Sequence, residues 1–76
     1  MGKREMRRMM AKAYRRAKRK VSAALGGCWM AAVNHERIVA SAGGESVSVD
    51  LVTHNGRKPD ETWWDALQEH HRAVEA

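Results

Sequence analysis

The chain has 76 residues, a single cysteine and a net charge of +5. A domain of this size buries only about 60% of the surface that its unfolded chain exposes, so a deep enzyme cleft is not expected. Cys28 is the single cysteine, so the chain can form neither an internal disulfide nor a Cys-x-x-Cys pair. No apolar run is long enough to span a membrane, and the first residues lack the apolar block of a secretory signal. We therefore expect one cytoplasmic domain comprising residues 1–76, with no membrane partner.

Charge is divided unevenly along the chain. Residues 1–20 contain ten Lys or Arg and one Glu, a sum of +9, whereas residues 21–76 contain four Lys or Arg and eight acids, a sum of −4. This asymmetry indicates a polyanionic partner for the first segment, or a basic segment that folds against acids of its own chain or of another copy. A mitochondrial transit peptide is a further alternative, with Gly26 and Gly27 at the junction, because such peptides are also Arg-rich and poor in acids.

The first predicted element is a basic amphipathic helix within residues 1–25. At about 100° per residue, the apolar side chains share one arc of the helix: Met6, Met9, Met10, Ala13, Tyr14, Ala17, Val21 and Ala24. We expect Met6, Met10, Ala13 and Ala17 to be buried, because only that phase leaves the cations in water. Gly26 and Gly27 predict the end of the helix, since glycine adopts the left-handed conformation at little cost.

Residues 28–53 predict a three-stranded sheet. Short apolar runs at 28–33 and 37–41 flank a tight turn at 34–36, and a second turn at 42–45 precedes a run at 46–53. That last run alternates, with Val47, Val49 and Leu51 on one face. The pattern is typical of an antiparallel meander with one buried face.

A second helix is predicted over residues 60–75. Either Asp60 begins it, after Pro59, or Thr62 caps it together with Asp65 in an approximate capping box. One stripe then runs to the C-terminus through Trp63, Leu67, His70 and Val74. The fold class is therefore α+β, in the order α-β-β-β-α, with both helices covering the same face of the sheet.

The cations of the first helix favour nucleic acid as the partner. Lys and Arg bind phosphates by displacing condensed counterions, and ten cations in eighteen residues exceed what solubility requires, because like charges four residues apart destabilise a helix. A merely solvated face is the simpler alternative. Arg57 and Lys58 add to the basic surface from a loop. The predicted nucleic-acid-binding residues are Arg4, Arg7, Arg8, Lys12, Arg15, Arg16, Lys18, Arg19, Arg57 and Lys58.

Two resemblances bear on this interpretation. In composition the segment resembles the Arg-rich antitermination arms of lambdoid phages, which enter the groove of an RNA hairpin. The element order resembles double-stranded-RNA-binding domains and small toxins on that fold, which implies RNA binding or, with an active histidine, a ribonuclease. The second helix departs from this pattern, because Asp60 and Glu61 stand where those RNA binders have lysines, and the acids disfavour a phosphate at its start.

Tryptophan and histidine provide the other candidates. Trp29, Trp63 and Trp64 suit base stacking or a protein interface, and we expect Trp63 inside and Trp64 partly exposed as a partner contact. His70 and His71 are adjacent, so they point about 100° apart and do not readily share a metal. A metal site formed by Cys28, His35 and His54 is one alternative, but the spacing of these residues does not indicate it. A hydrolase site is another, with Cys28 or a serine as nucleophile beside His54 and Asp50, and the spacing does not indicate that site either. We predict no catalytic residue, metal or cofactor.

The sequence therefore favours a small non-enzymatic protein that binds RNA or DNA through the cationic helix face. The alternative is a phage-type protein inhibitor, such as an anti-CRISPR or a transcription inhibitor. Such a protein would dock on an acidic surface of a host protein or nucleoprotein complex, and its small size suits that role equally well. Assembly of several copies of the chain is left open.

Overall fold

A computed structural model describes the fold of residues 2–54 and 56–75. For Glu75, it describes the backbone only. Helix α1 spans Lys3–Leu25, strands β1, β2 and β3 span Met30–Val33, Arg37–Ala42 and Glu45–Asp50, and helix α2 spans Glu61–Glu75. The α-β-β-β-α order of an α+β domain is confirmed. The predictions that touch Met1 and Ala76 lie outside the described residues.

Helix α1 follows the predicted phase. Met10, Ala13, Ala17 and Val21 are buried, spaced three or four residues apart along one stripe. Met6 is only half-buried, and Ala24, which was expected on the buried stripe, is exposed. The helix ends at the predicted glycine: Gly26 has a φ of +87°, and its N–H donates to the carbonyl of Ser22 at 2.8 Å.

The three strands form an antiparallel sheet in the order β1-β2-β3. Two strands are shorter than predicted, because pairing rather than apolar character determines where a strand ends. Arg37, the first residue of β2, pairs with Asp50, so β3 stops there and not at residue 53. One further bond, from the N–H of Leu51 to the carbonyl of Glu36 at 2.8 Å, closes this end. Strand β1 begins at Met30, not at Cys28, opposite Ser41 near the end of β2.

Both turns of the sheet have local chemical causes. The side-chain carbonyl of Asn34 accepts the N–H groups of Glu36 and Arg37 at 2.8 and 3.0 Å, which holds the first turn closed. The second turn consists of Gly43 and Gly44, with φ values of +57° and +86°. Two consecutive positive φ values match the twist of a two-residue hairpin and favour glycine.

Helix α1 packs across β2 and β3. The prediction that both helices cover the sheet is corrected for α2, which packs against α1 rather than directly across the strands. The first two turns of α2 reach the common core through Trp63, Ala66 and Leu67. The main buried cluster joins both helices to β2 and to Leu51: Met10, Ala17, Val21, Ile38, Ala40, Leu51, Trp63 and Leu67. The opposite face of the sheet is left to solvent.

Two predictions for α2 are corrected. Asp60 caps the helix, because its carboxylate accepts the N–H of Trp63 at 3.2 Å, so the Thr62 capping box is wrong. The buried stripe was expected to continue to Val74, but it stops at Leu67: His70 is exposed and Val74 is 71% exposed. The core ends at this point, and the last two turns of α2 lie only beside the start of α1.

Candidate nucleic-acid interface

The predicted cations of α1 lie on the side of the helix away from the sheet. Six of them are exposed and two are half-buried. The half-buried pair, Arg7 and Arg16, sit at the two borders of the cationic face, where it meets α2 and the chain after β3. The exposed members are Arg4, Arg8, Lys12, Arg15, Lys18 and Arg19.

Most of this positive charge has no acidic partner. Among the described residues, Lys3 is the one α1 cation with a carboxylate within ion-pair distance: its Nζ lies 2.5 Å from Glu69 Oε2 on α2. The hydrogen bond from Lys3, and then its charge, lower the pKa of Glu69 below the ordinary carboxyl value. Of the ion pairs that a basic segment could form with acids of its own chain, the described residues therefore contain this one for α1.

Arg16 has a structural contact inside the chain. Its Nη2 donates to the carbonyl of Val52 at 2.7 Å, which ties the middle of α1 to the segment that follows β3. A guanidinium has five N–H donors, so this bond does not exhaust the group. Arg16 therefore differs from the exposed cations, because removing it affects the fold as well as the charge.

The junction of α1 and α2 contains an aromatic stack. The rings of Tyr14 and Trp64 lie 5.8 Å apart between centroids at an interplanar angle of 29°, and Lys18 Nζ lies 4.7 Å from the Tyr14 centroid. These distances are in the range of stacking and cation–π attraction. Trp63 is buried and Trp64 half-buried, as predicted. Trp64 nevertheless serves first as a helix-to-helix contact.

A groove runs along the junction on the solvent side. It has a volume of about 580 Å³, and four arginines from α1 face two histidines from α2 across it. A smaller hollow of about 320 Å³ continues it towards the aromatic stack and shares Arg15, Leu67 and His71 with it. The polar residues of the groove are Arg4, Arg7, Arg8, Arg15, His70 and His71.

Sequence reasoning missed the contribution of α2 to this groove. His70 was placed on the apolar stripe, although the histidines were otherwise expected at the surface or its rim, where His70 and His71 do lie. Neither His71 nor Gln68 was considered as a binding residue. The spacing along α2 could have indicated this contribution. His70 and His71 follow Leu67, the last buried residue of α2, by three and four positions, so they lie near its buried face but beyond the end of the core. Only the packing of the two helices shows which cations they oppose.

The loop cations lie close to the middle of α1. Thr53 donates two hydrogen bonds to the carbonyl of Arg57, one from its N–H at 3.1 Å and one from its hydroxyl at 2.6 Å. Thr53 directly follows Val52, whose carbonyl accepts the hydrogen bond from Arg16. These bonds hold the backbone of the loop next to the segment that Arg16 contacts. Arg57 and Lys58 are both exposed. The structure therefore brings the loop to the border of the cationic face, opposite the groove.

The remaining candidates lie apart from one another. Trp29 donates from Nε1 to the Ser22 hydroxyl at 3.1 Å and is half-buried at the end of α1. His35 Nε2 lies 3.6 Å from Glu36 Oε1, while Cys28 and His54 are exposed. Among residues 2–54 and 56–75, no group of three or more His, Cys, Asp or Glu side chains is arranged to hold a metal ion.

Comparison with known proteins adds no relative. The chain matches no protein family model, no curated protein and no solved structure. The likeness to double-stranded-RNA-binding domains is thus one of element order only. In the described part of the chain, neither helix combines the length and the apolar character needed to cross a bilayer.

Proposed function

We propose that this protein is a small, non-enzymatic nucleic-acid-binding protein that contacts phosphates through the cationic face of α1. The observation that carries the proposal is the row of exposed α1 cations with no carboxylate partner in the described structure. Their position is fixed, because the opposite face of the same helix is buried in the core. Because the helix is already folded, its backbone needs no further ordering when the cations meet a row of phosphates.

The spacing of the row suits a nucleic-acid backbone. Arg8, Lys12, Arg15 and Arg19 follow one another at four, three and four residues, so they share one face of the helix. At about 1.5 Å per residue, the row from Arg4 to Arg19 is about 22 Å long. Double-stranded nucleic acid carries a charge about every 1.7 Å of its axis, so several phosphates lie within this length.

Repulsion within the helix also favours a polyanionic partner over a merely solvated face. Each pair of like charges four residues apart costs a helix about 0.2–0.5 kcal/mol. Arg4–Arg8, Arg8–Lys12, Lys12–Arg16 and Arg15–Arg19 are such pairs. Bound phosphates relieve this repulsion, whereas water alone only screens it.

The salt dependence of binding tests the proposal. Contact with four to six phosphates gives a slope of log affinity against log salt of roughly −4 to −5 on duplex. The experiment is a fluorescence anisotropy titration of the purified protein with labelled DNA and RNA duplexes and single strands at salt concentrations from 50 to 300 mM. Failure to bind any of these at 50 mM salt would falsify the proposal.

A protein inhibitor remains a second candidate function, because the sheet offers an open edge and an uncovered face. Met30 on edge strand β1 is 81% exposed, and Val39 on the outer face of β2 is 46% exposed. No Lys, Arg or Pro lies within β1, although such residues usually protect an edge strand from pairing with other chains.

A pull-down from host lysate with and without nuclease separates the two functions. A partner that survives nuclease treatment and is lost on Met30→Lys supports the inhibitor.

A further inference from the structure

We propose that the groove between α1 and α2 is a binding site for single-stranded nucleic acid. The phosphates of the strand lie between the arginines of α1 and the two histidines of α2, and a base lies in the adjoining hollow beside Tyr14. This inference rests on the proposed function and specifies its ligand. The site is formed by Arg4, Arg7, Arg8, Arg15, His70 and His71.

Both walls of the groove suit an anion. The α1 wall provides four guanidinium groups, and the α2 wall provides two imidazole rings whose centroids lie 6.2 Å apart. No carboxylate is among the described residues that line the groove or its continuation. Glu69, which precedes the histidines, is held by Lys3 instead. A phosphate in the groove therefore meets only cations and imidazoles.

The shape of the site selects a single strand rather than a duplex. The groove is a concave channel between two packed helices, whose axes typically lie about 8–10 Å apart. A duplex is a convex rod and contacts the outer face of α1, including Arg8 and Arg15, which the outer face and the groove share, without entering this channel. The two hollows have volumes of about 580 and 320 Å³ and are open to solvent. They accommodate individual nucleotides.

The continuation of the groove supplies contacts for a base. Its lining includes Tyr14, Lys18 and Gln68 next to the shared residues Arg15 and His71. Proteins that bind single strands combine a cationic channel with aromatic side chains on which bases stack, at about 1–3 kcal/mol per base. The amide of Gln68 can donate to and accept from a base edge. Phosphate contacts and base contacts thus follow one another along one channel.

The two histidines add hydrogen-bond donors to the α2 wall. An imidazole ring donates from a ring nitrogen, and both side chains are exposed. The charged groups around His70 and His71 are the four arginines of α1, Arg72 on α2, and the Lys3–Glu69 pair. A phosphate in the groove can therefore accept hydrogen bonds from both walls.

Two double variants with equal loss of charge test the site. Arg4→Gln with Arg7→Gln removes two groove cations, and Lys12→Gln with Arg19→Gln removes two cations from the outer face, which line neither the groove nor its continuation. Affinities are measured by anisotropy with labelled 12-nucleotide single strands, U12 and dT12, and with a 12-base-pair duplex. We expect the groove variant to weaken single-strand binding about tenfold more than the outer-face variant does.

The result on duplex separates this site from the proposed function. Equal losses for the two variants on single strands, while the unmodified protein binds duplex and the outer-face variant binds duplex more weakly, overturn the groove site and leave the proposed function standing. Absence of binding to every probe overturns both. Circular dichroism of each variant confirms that α1 remains helical.

A third variant tests the α2 wall without touching α1. His70→Ala with His71→Ala replaces two exposed residues, so the fold should be kept. Because alanine lacks the ring nitrogens that donate to a phosphate, the variant should bind U12 about threefold more weakly than the unmodified protein does at the same pH and salt concentration. An affinity for U12 equal to that of the unmodified protein contradicts the role of the histidines and, with it, the site.

Discussion

Tyr14 on α1 and Trp64 on α2 stack with their ring centroids 5.8 Å apart, and this contact holds the two helices together at the end of the cationic groove. Lys3 and Glu69 join the same helices at the other end. The two contacts show that α2 runs antiparallel to α1, since the later residue of α1 meets the earlier residue of α2. At each end, the groove is therefore bounded by side chains that are themselves only half-buried or exposed.

The aromatic stack is expected to contribute to stability as a pair. Trp64→Ala and Tyr14→Ala should each lower the free energy of unfolding, and a double-mutant cycle should give a coupling of about 0.5–1.5 kcal/mol, the usual range for stacked aromatic side chains. Urea denaturation followed by circular dichroism measures the four proteins of the cycle. Val39→Ala on the open face of the sheet is the control, and it should not couple to Trp64. A coupling near zero shows that the rings only lie side by side.

The ion pair between Lys3 and Glu69 predicts a change in titration. Lys3 lowers the pKa of Glu69, so Lys3→Gln should raise that pKa towards the ordinary carboxyl value. A depressed pKa contributes stability that is present above the pKa of the unfolded carboxyl and is lost as the pH falls through the folded value. Because the pair is exposed, the shift should shrink in high salt.

Carboxyl resonances followed by NMR from pH 2 to 7 measure this shift at low and high salt. Lys20→Gln, which removes a cation of α1 far along the helix from Glu69, serves as the control and should leave the Glu69 titration in place. If the pKa of Glu69 is the same in the Lys3→Gln variant as in the unmodified protein, the result contradicts the contact between Lys3 and Glu69.

The elements could be predicted because their causes lie close together in the chain. The three- and four-residue spacing of Met10, Ala13, Ala17 and Val21 defines the buried face of α1 without reference to any other element. Gly26, Gly43 and Gly44 likewise stand where the backbone needs a positive φ. The order α-β-β-β-α follows from such local signals.

The ends of the elements and the groove could not be predicted, because they depend on distant partners. Strand β3 stops at Asp50 since β2 begins opposite it, although the apolar alternation continues into Leu51. Val74 continues the periodicity of α2, but it is exposed because the core does not extend so far. The arrangement of His70 and His71 opposite four arginines results from how the helices pack, which no single segment encodes.

Arg16 should behave as a structural cation. Arg16→Gln removes the bond to the carbonyl of Val52, and we expect a loss of about 1 kcal/mol in the free energy of unfolding, the usual net value of a hydrogen bond. Arg15→Gln is the matched control: it removes the same charge from the neighbouring, exposed position and should change stability by less than about 0.5 kcal/mol. Equal effects in urea denaturation argue against a specific role for the Val52 contact.

The turn between β2 and β3 predicts a position-dependent effect of alanine. Gly44→Ala forces a side chain into a φ of +86°, which costs about 1–2 kcal/mol, whereas Gly27→Ala lacks that penalty because Gly27 has no positive φ. A Cβ at either position meets no atom within 4 Å, so crowding does not explain a difference. Thermal unfolding of the two variants measures it. Equal midpoints contradict the assigned turn conformation.

The cationic face of α1 predicts how salt acts on binding. Arg8→Gln together with Arg15→Gln should flatten the slope of log affinity against log salt by about two units on duplex, because each lost phosphate contact removes about 0.9 from the slope. The helix and its buried stripe should persist, since both residues are exposed. Arg8→Lys with Arg15→Lys keeps the charge and should retain the slope, even if affinity falls through loss of the guanidinium geometry. Duplex titrations at four salt concentrations measure the three slopes. A glutamine variant with an unchanged slope places the bound phosphates elsewhere, and the cationic face of α1 is then a solvated surface.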